Sequence, residues 1–277
     1  MKKKVSVIVR TCGRPEVLKI ALDSIRKQTY PNIEVVIQED GLNISENMIR
    51  REYEDLNISY EATGEKSGRT KVGNRALSRA TGEYLNFLDD DDYFLPDHLE
   101  KLVSALENSS KRAAYSLAEE VTLEVCSKSP YITKEHGRTV RYQQPYNKLL
   151  LYYTNYFPIQ TVLFERSLFL EFGGFDENLD VLEDWDLWAR YSVATDFEYL
   201  PEVTSVYHVP YGDSNKNKRD KELFDAQEQI RRKFQGYSVH ITAEQINREV
   251  YDLLNSYKTE KNFLYYLRKF YFKHIKK

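Results

Sequence analysis

The chain has only two cysteines, Cys12 and Cys126, among its 277 residues. Their spacing matches no metal-binding motif, and two thiols cannot build a disulfide framework. The composition therefore suits a reducing compartment and argues against a disulfide-rich secreted scaffold. A catalytic thiol at Cys12 stays open as an alternative, although no base lies near it in the sequence.

Long apolar runs are also missing. The longest candidate, Leu149–Tyr153, falls far short of the roughly 18 residues that span a bilayer. The apolar stretch Val5–Val9 has no small-residue cleavage site beside it, so it is interpreted as a strand and not as a signal peptide. We therefore expect a cytoplasmic protein that is soluble or peripheral at the inner face of the membrane.

A strong imbalance of charge is absent as well. The formal net charge of −3 gives no general attraction to polyanions, so no nucleic-acid partner is expected. Tyrosine is abundant, with 22 residues. Its rings serve either as packing elements at half-wet positions or as platforms for sugar faces. With 41% hydrophobic residues, the chain suits one large domain or one domain plus an appendage.

Strand and helix patterns alternate in the first hundred residues. Strands are predicted over residues 5–9, 33–37, 58–60 and 84–88, with helices from Pro15, over 44–56 and over 72–80 between them. This order predicts an α/β fold with a mostly parallel sheet that helices cover on both faces. Ligands bind beyond the carboxyl ends of strands in such sheets. Three polar clusters fall there and predict one site: Thr11–Arg14, Glu39–Gly41 and Asp89–Asp92.

The second half of the chain has a weaker pattern. It predicts a strand pair within 115–125, loop with a hairpin within 127–146, a strand over 157–164, and helices from Ser167 and over 183–192. The last sixty residues are predicted to be helical. Their basic and aromatic segment 263–273 fits either a helix packed on the core or one resting on an anionic membrane surface.

The run of aspartates Asp89–Asp92 needs positive charge beside it. Like charges this close repel one another and raise one another's pKa, so a metal ion or basic side chains are expected. Carboxylate ligands suit Mg²⁺ or Mn²⁺, with phosphate oxygens and water completing the shell. A solvated acidic loop is the plainer alternative, but the position directly after an apolar strand favours a metal site.

A second acidic pair, Glu183-Asp184, begins the predicted helix over 183–192. Carboxylates in the first turn of a helix are favoured by its dipole, which is a purely structural explanation. The functional alternative is a general base that removes a proton from an attacking hydroxyl. The spacing alone leaves both open.

Together these motifs resemble the family 2 glycosyltransferases. The matching segments are Val5–Thr11, Val35–Gly41, Gly82–Asp92, Gly173–Asp176 and Glu183–Arg190. The resemblance covers about residues 4–210 and implies the GT-A fold, which binds nucleotides. The implied organisation is a GT-A domain over 1–212, with a nucleotide-binding half (1–108) and an acceptor-binding half (109–212), followed by a helical extension over 213–277.

The resemblance also implies roles for matching residues. It implies nucleotide-binding roles for Thr11, Arg14, Glu39, Asp40, Arg69, Lys71, Asp89 and Asp90. It implies Mn²⁺ or Mg²⁺ ligands at Asp91, Asp89 and His208, the last within a Tyr207–Pro210 segment similar to the family's late histidine motif. It implies the catalytic base at Asp184 and acceptor contacts at Glu183 and Trp185.

The implied activity is an inverting, metal-dependent transfer of a sugar from a nucleotide-diphosphate sugar, such as a UDP-sugar, to an acceptor hydroxyl. The acceptor would be a glycan or lipid-linked molecule in polysaccharide or glycoconjugate synthesis. The chain departs from the family at Glu39–Leu42, where many relatives have Asp-Asp-Gly-Ser, and at Val72–Asn74, where Ala-Arg-Asn is usual. It also lacks the Gln-x-x-Arg-Trp motif of processive membrane-embedded synthases.

Two other classes stay open. A nucleotidyltransferase on a related scaffold should carry a Gly-rich basic loop after the first strand, where this chain has only Thr11–Arg14. A sugar-nucleotide-binding module without catalysis would have no need of both acidic pairs, which this chain retains.

Overall fold

The structure is a computed structural model that describes residues 2–212 and 216–259. Its first part alternates strands and helices, as the sequence predicts. In chain order these are β1 (Val5–Thr11), α1 (Pro15–Arg26), β2 (Ile33–Glu39), α2 (Glu46–Glu52), β3 (Ile58–Ala62), α3 (Arg69–Arg79) and β4 (Tyr84–Asp89). The strands pair in parallel in the order β3-β2-β1-β4, so their carboxyl ends meet at one edge.

Local chemistry explains these elements. All seven residues of β1 are buried, as expected for a parallel strand covered on both faces. Helix α1 begins at Pro15, whose fixed φ suits a first turn, and it buries one face that includes Leu18 and Leu22. Helix α3 begins at Arg69, three residues before the predicted start, directly after Gly68, whose φ of 93° is a conformation that favours glycine.

The second part extends the sheet with strands of both directions. Its elements are β5 (Tyr93–Phe94), α4 (His98–Glu107), β6 (Ala113–Lys128), β7 (Tyr131–Thr139), α5 (Lys148–Tyr153), β8 (Val162–Glu165), α6 (Arg166–Phe172), α7 (Glu183–Tyr191) and β9 (Phe197–Pro210). The order continues from β4 as β8-β6-β9-β5, and β7 pairs with β6. Strand β8 is antiparallel to both neighbours, whereas β6 and β9 are parallel.

Two predictions for this part are wrong in detail. Residues 115–125 are not a strand pair but belong to the single 16-residue strand β6, because they contain no glycine, proline or asparagine that would form a turn. The strand predicted from Phe157 begins only at Val162. Pro158 has no N–H to donate, and its carbonyl instead accepts the N–H of Thr161 at 2.9 Å in a short 3₁₀ turn. The segment 127–146, predicted as loop with a hairpin, supplies the turn and the second strand, β7, whereas the first strand of the observed hairpin is the end of β6, which pairs from Glu120 to Lys128 with Thr139 to Tyr131.

The sheet divides the core in two. On one face α1 and α4 pack with Val7, Val9 and Leu88, and on the other α3, α5 and α7 pack with Ile8 and Phe87. The second face is rich in aromatic rings, and Trp185 and Trp188 are both fully buried there. Because α7 is anchored by these two rings, the acidic pair at its start is held at a fixed place beside the sheet edge.

Two further helices, α8 (Lys216–Phe234) and α9 (Ala243–Thr259), pack near α5 and α7 on the second face of the sheet. The Nζ of Lys233 lies 2.6 Å from Asp186 Oδ1 of α7, and Asn147 Nδ2 donates to the carbonyl of Glu249 at 2.9 Å. The described part of the extension therefore packs on the core. The segment 263–273 lies outside the described residues. No helix among those that are described is long and apolar enough to cross a membrane.

Candidate active site

An open pocket of about 250 Å³ lies at the carboxyl edge of β1, β2 and β4. The three polar clusters that the sequence predicts to meet do meet there. The pocket is lined by Arg10, Thr11, Cys12, Arg14, Asp40, Arg69, Val72, Asp89, Asp90 and Asp91. Since parallel strands end at the same edge, β1 brings Arg10 and the residues that follow it, β2 brings Asp40 and β4 brings the aspartate run, while Arg69 comes from the start of α3.

Asp89 is bound by a buried arginine. The guanidinium of Arg10, only 6% exposed, donates from Nε and Nη2 to the two carboxylate oxygens of Asp89 at 2.9 and 3.0 Å. Burial raises the pKa of Asp89, but the charges of Arg10 and Arg69 outweigh it and hold that pKa below its ordinary value. Asp89 is therefore an ionised carboxylate whose two oxygens are already bonded.

Arg10 also reaches across the site to α7. Its Nη1 donates to Glu183 Oε1 at 2.8 Å, and Arg69 Nε lies 3.2 Å from the same oxygen. Arg69 Nη2 contacts Asp89 at 3.4 Å. Two arginines and two carboxylates thus form one network between β1, α3, β4 and α7. A buried charge of this kind is stable only when it is paired, so the network ties the acidic pair of α7 to the aspartate run.

The other three aspartates differ in exposure. Asp90 is buried and accepts hydrogen bonds from Thr11 Oγ1 at 2.7 Å and from Arg14. Asp92 is buried and accepts the N–H of His208 at 2.9 Å. Burial and the charge of Asp91 raise the pKa of Asp92 well above its ordinary value. Asp91 itself is 38% exposed, and Arg14 Nη1 contacts it at 3.3 Å.

Asp184 lies in the first turn of α7. The residue directly before the helix, Leu182, has a left-handed φ of 59°, a strained conformation for a leucine that often marks a functional site. Asp184 Oδ2 accepts a hydrogen bond from Asn155 Nδ2 at 2.9 Å, and Oδ1 accepts the N–H of Trp185 at 2.9 Å. Burial and the charge of Glu183 raise the pKa of Asp184 to about 6.

The model of glycosyl transferase family 2 matches residues 6–167 of the chain, which is more than half of it. The chain belongs to this family. A relative, the uncharacterized glycosyltransferase YwdF of Bacillus subtilis, is 27% identical over 204 residues, which are 74% of this chain and 74% of that protein.

Solved structures show the same GT-A fold. S. aureus TarS superposes with a TM-score of 0.66 at 18% identity, over 92% of this chain and 43% of the TarS chain, so this chain spans less than half of it. TarS 1–349 is also known in complex with UDP-GlcNAc. The mannosyltransferase PcManGT from Pyrobaculum calidifontis, in complex with GDP-Man and Mn²⁺, gives a TM-score of 0.63 at 18% identity, over 93% of this chain and 70% of that chain.

Two residues expected to contact the acceptor have side chains that are already bonded to other groups of this glycosyltransferase. Trp185 is fully buried, and its Nε1 donates to the carbonyl of Leu151. Glu183 is 3% exposed and paired with Arg10 and Arg69. These contacts do not support the predicted acceptor roles, because neither side chain presents a free polar group to the solvent side of Asp184.

The predicted nucleotide contacts from β2 also differ from one another. Glu39 is fully buried and accepts hydrogen bonds from the N–H of Gly13 at 3.1 Å, the N–H of Ser45 at 3.0 Å and Tyr60. It therefore organises the loop below the pocket. Asp40 lines the pocket itself, where one carboxylate oxygen accepts the N–H of Ser67 at 2.6 Å.

Helix α3 explains one departure from the family. At Gly73, where the family resemblance implies an arginine, a Cβ would lie 2.5 Å from the ring of Phe175. That ring also lies below Arg10, whose guanidinium carbon is 5.4 Å from the ring centroid. The space is thus already filled, and Arg69 supplies an arginine to the pocket instead. Lys71 is exposed and is not among the residues that line the pocket.

His208 lies beside the aspartate run, as predicted. Its Nδ1 is hydrogen-bonded to the carbonyl of Asp91, which leaves Nε2 as the ring nitrogen without a partner in the described part of the chain. No group of three or more histidine, cysteine or acidic side chains within residues 2–212 and 216–259 is arranged to hold a metal ion. Cys12 lines the pocket, but no described base contacts its thiol.

The sequence interpretation missed Arg10 and Asn155. A signal for Arg10 was present, because an arginine at the end of a buried strand must find a carboxylate partner. No comparable signal marks Asn155, which follows α5 in an irregular segment and meets Asp184 only in the folded chain.

Proposed function

We propose that this enzyme is an inverting, metal-dependent glycosyltransferase. It moves a sugar from a nucleotide-diphosphate donor to the hydroxyl of a glycan or lipid-linked acceptor in polysaccharide or glycoconjugate synthesis. The observation that carries the proposal is the pairing of two acidic sites, since the network of Arg10 and Arg69 ties the aspartate run to the helix turn that carries Asp184. Residues 1–108 would bind the donor and 109–212 the acceptor.

Basic groups in the pocket support a diphosphate ligand. Arg14 and Arg69 are 47% and 48% exposed, and each is paired with carboxylates of the aspartate run. Guanidinium groups bind phosphate oxygens in a bidentate manner. Thr11 and Asp40 would contact the nucleoside at the ends of β1 and β2. Complexes of the structural neighbours with UDP-GlcNAc and GDP-Man are compatible with a UDP- or GDP-sugar.

The aspartate run fits a divalent cation. Asp91 is the carboxylate with the most exposure and the weakest internal contact, whereas Asp89 has both oxygens bonded to Arg10. Asp91 would therefore hold Mn²⁺ or Mg²⁺ directly, assisted by His208 Nε2 and supported by Asp89. Oxygen ligands with one imidazole suit either ion. When bound, the metal would offset the negative charge that develops on the leaving diphosphate.

Asp184 would act as the base. Its ionised carboxylate removes the proton of the acceptor hydroxyl, whose oxygen forms the new bond to the anomeric carbon. The bond from that carbon to the diphosphate breaks, and the diphosphate oxygen keeps the electron pair. Attack from the face opposite the leaving group inverts the anomeric centre, and the sugar carries oxocarbenium character as in glycoside hydrolysis. Arg14 and Arg69 would stabilise the departing diphosphate.

A donor panel tests the proposal. Purified enzyme is incubated with UDP- and GDP-sugars and Mn²⁺, and release of nucleoside diphosphate is measured with and without EDTA. We expect release that depends on Mn²⁺, with an inverted anomeric configuration of the product by NMR. Donor binding without release would support a non-catalytic binding module. Release of pyrophosphate from a nucleoside triphosphate and a sugar phosphate would support a nucleotidyltransferase.

A further inference from the structure

The acceptor needs a binding surface that Glu183 and Trp185 do not provide. Both side chains are buried and already bonded. Asp184 is bonded on one side to Asn155, which follows α5. The side chains that hold an acceptor hydroxyl at Asp184 must therefore lie near Asp184 and have polar atoms that are not already bonded.

Tyr142 has these properties. It lies between β7 and α5, and its ring packs against the aromatic core cluster that contains Trp185. Within the described residues its hydroxyl makes no hydrogen bond. Burial raises the pKa of Tyr142, the charge of Arg141 lowers it, and the charges of Glu120 and Asp184 raise it.

A chain of contacts connects the segment of Tyr142 to Asp184. The hydroxyl of Tyr115 donates to the carbonyl of Gln144 at 2.8 Å, and the Tyr115 ring stacks on Phe157 at 4.1 Å. The N–H of Phe157 donates to Asn155 Oδ1 at 3.3 Å, and Asn155 Nδ2 donates to Asp184. Tyr142 is therefore carried by a segment that packs against the residues around Asp184.

A polar cluster next to Tyr142 completes the surface. Arg141, 59% exposed, lies over the Tyr142 ring at 5.7 Å and donates from Nη1 to Glu120 at 3.2 Å. The same oxygen of Glu120 accepts the hydroxyl of Tyr207 at 2.7 Å. Tyr207 is followed directly by His208, which contacts the aspartate run. Because successive side chains of a strand point to opposite faces, the cluster lies next to Tyr142, one strand position away from the residue that contacts the aspartate run.

The position of Tyr142 is fixed by the sheet. Tyr115 Oη of β6 donates to the carbonyl of Gln144 at 2.8 Å, and Tyr199 Oη of β9 donates to the carbonyl of Gln143 at 3.0 Å. Two strands thus hold the irregular segment that carries Arg141 and Tyr142. A surface held in this way is preorganised to bind a ligand at low entropic cost.

The charges of the cluster indicate what it would bind. Arg141 is paired with Glu120, so the cluster has no net positive charge to attract an anion, and the nearby carboxylates would repel one. It presents instead a mixture of donors and acceptors: guanidinium N–H groups, a carboxylate and a tyrosine hydroxyl. Such a mixture suits a neutral molecule with several hydroxyl groups.

We propose that Tyr142 and Arg141 form the acceptor-binding surface beside Asp184, and that this surface takes an uncharged glycoside. Tyr142 Oη would hold a hydroxyl neighbouring the one that attacks, and the Arg141–Glu120 pair would bind further hydroxyls. The proposal rests on the proposed glycosyl transfer with Asp184 as the base. It assigns to Tyr142 and Arg141 the acceptor role that the family resemblance implies for Glu183 and Trp185.

The test compares two competing reactions of one bound donor. With a donor that the enzyme hydrolyses, transfer to the methyl glycosides of glucose, galactose and N-acetylglucosamine is measured together with hydrolysis by water. In Tyr142→Phe we expect the ratio of transfer to hydrolysis to fall about tenfold, as for the loss of one hydrogen bond. The KM for the glycoside should rise, while that for the donor should stay within twofold.

Tyr153→Phe is the matched control. The ring of Tyr153 also lies under an arginine, with Arg231 at 5.0 Å, and its hydroxyl likewise makes no hydrogen bond in the described part of the chain. We expect this variant to keep the wild-type ratio. An unchanged ratio in Tyr142→Phe, or equal losses of transfer and hydrolysis, would assign Tyr142 a merely structural role and overturn the proposal.

Two further outcomes separate this inference from the function on which it rests. Wild-type enzyme that hydrolyses donor but transfers to none of the glycosides would overturn the glycoside surface and leave Asp184 untouched. Asp184→Asn that still transfers and hydrolyses at the wild-type rate would overturn the base, whatever the result for Tyr142.

Discussion

Asp89, at the end of β4, and Asp184, in the first turn of α7, are two partly buried carboxylates of one site with opposite properties. Arg10 and Arg69 overcome the effect of burial and hold the pKa of Asp89 below its ordinary value. Burial and Glu183 raise the pKa of Asp184 to about 6. Environments that separate the pKa values of two carboxyl groups separate their roles. Asp89 suits a fixed charge, and Asp184 suits proton transfer near neutral pH.

The largest effect is expected on removing Arg10, the buried cation that pairs with Asp89 and Glu183. Arg10→Met would leave Asp89 and Glu183 without their buried partner. We expect the free energy of unfolding to fall by about 3–5 kcal/mol, because an unpaired buried charge is costly. Urea denaturation followed by circular dichroism measures this change.

Arg26→Met is the control for Arg10. Arg26 pairs with Asp55 on the surface, where the two side chains are 35% and 54% exposed. Such pairs contribute about 0–1 kcal/mol. Equal losses of stability in the two variants would contradict the view that Arg10 holds the centre of the site together.

Asp91→Asn tests the difference between Asp89, whose two oxygens are bonded to Arg10, and Asp91, whose carboxylate is exposed and able to bind a metal ion. Asp91 is the exposed member of the run, so its loss should abolish tight Mn²⁺ binding in an EPR titration. Turnover should fall on the order of 100-fold, because the metal stabilises the leaving diphosphate. Asp97→Asn, which alters an aspartate paired with Lys101 on α4, should bind Mn²⁺ normally. Wild-type Mn²⁺ affinity in Asp91→Asn would remove this residue from the metal site.

The pH dependence tests Asp184 against Asp89. Only ionised Asp184 can accept a proton, and its pKa is raised to about 6. Donor kcat/KM should therefore rise with pH through about 6 and then level off, with a loss of about tenfold per pH unit below that value. Initial rates measured from pH 5 to 8 in overlapping buffers give the profile. A flat profile, or rates that fall as pH rises through 6, would contradict the assignment.

The smallest effect is expected at Asn155. Its amide donates to Asp184 at 2.9 Å and so favours the ionised carboxylate. Asn155→Ala should move the midpoint of the pH profile upward by about one unit at most, the equivalent of one hydrogen bond to a charged group. Asn178→Ala, which removes a similar 2.9 Å bond to Asp176, should leave the midpoint in place. A downward shift in Asn155→Ala would refute the role of the amide.

The first hundred residues were predictable because their signals are local. The buried β-branched runs of β1 and β2, and the acidic residues directly after β4, follow from the hydrophobic pattern alone. The chain from β6 onward was less predictable. The length of β6 depends on its pairing with β7, β8 and β9. No short segment of sequence determines such pairings.

The sequence predicted which segments come together at the site, but not the contacts between their side chains. Neighbours at the start of a helix can face different surroundings, so the sequence could not tell that Glu183 turns to Arg10 while Asp184 turns to Asn155. Arg10 and Glu183 are 173 positions apart in the chain. The role of such a pair becomes visible only when the fold brings its members together.

The central claim is that Asp184 is the base and that its neighbour Glu183 is not. Its most direct test is the turnover number of Asp184→Asn for Mn²⁺-dependent release of nucleoside diphosphate, measured on enzyme whose folding and donor binding match the wild type. We predict a fall on the order of 1,000-fold, within the range for loss of a general base. Turnover within a few-fold of the wild type would contradict the claim.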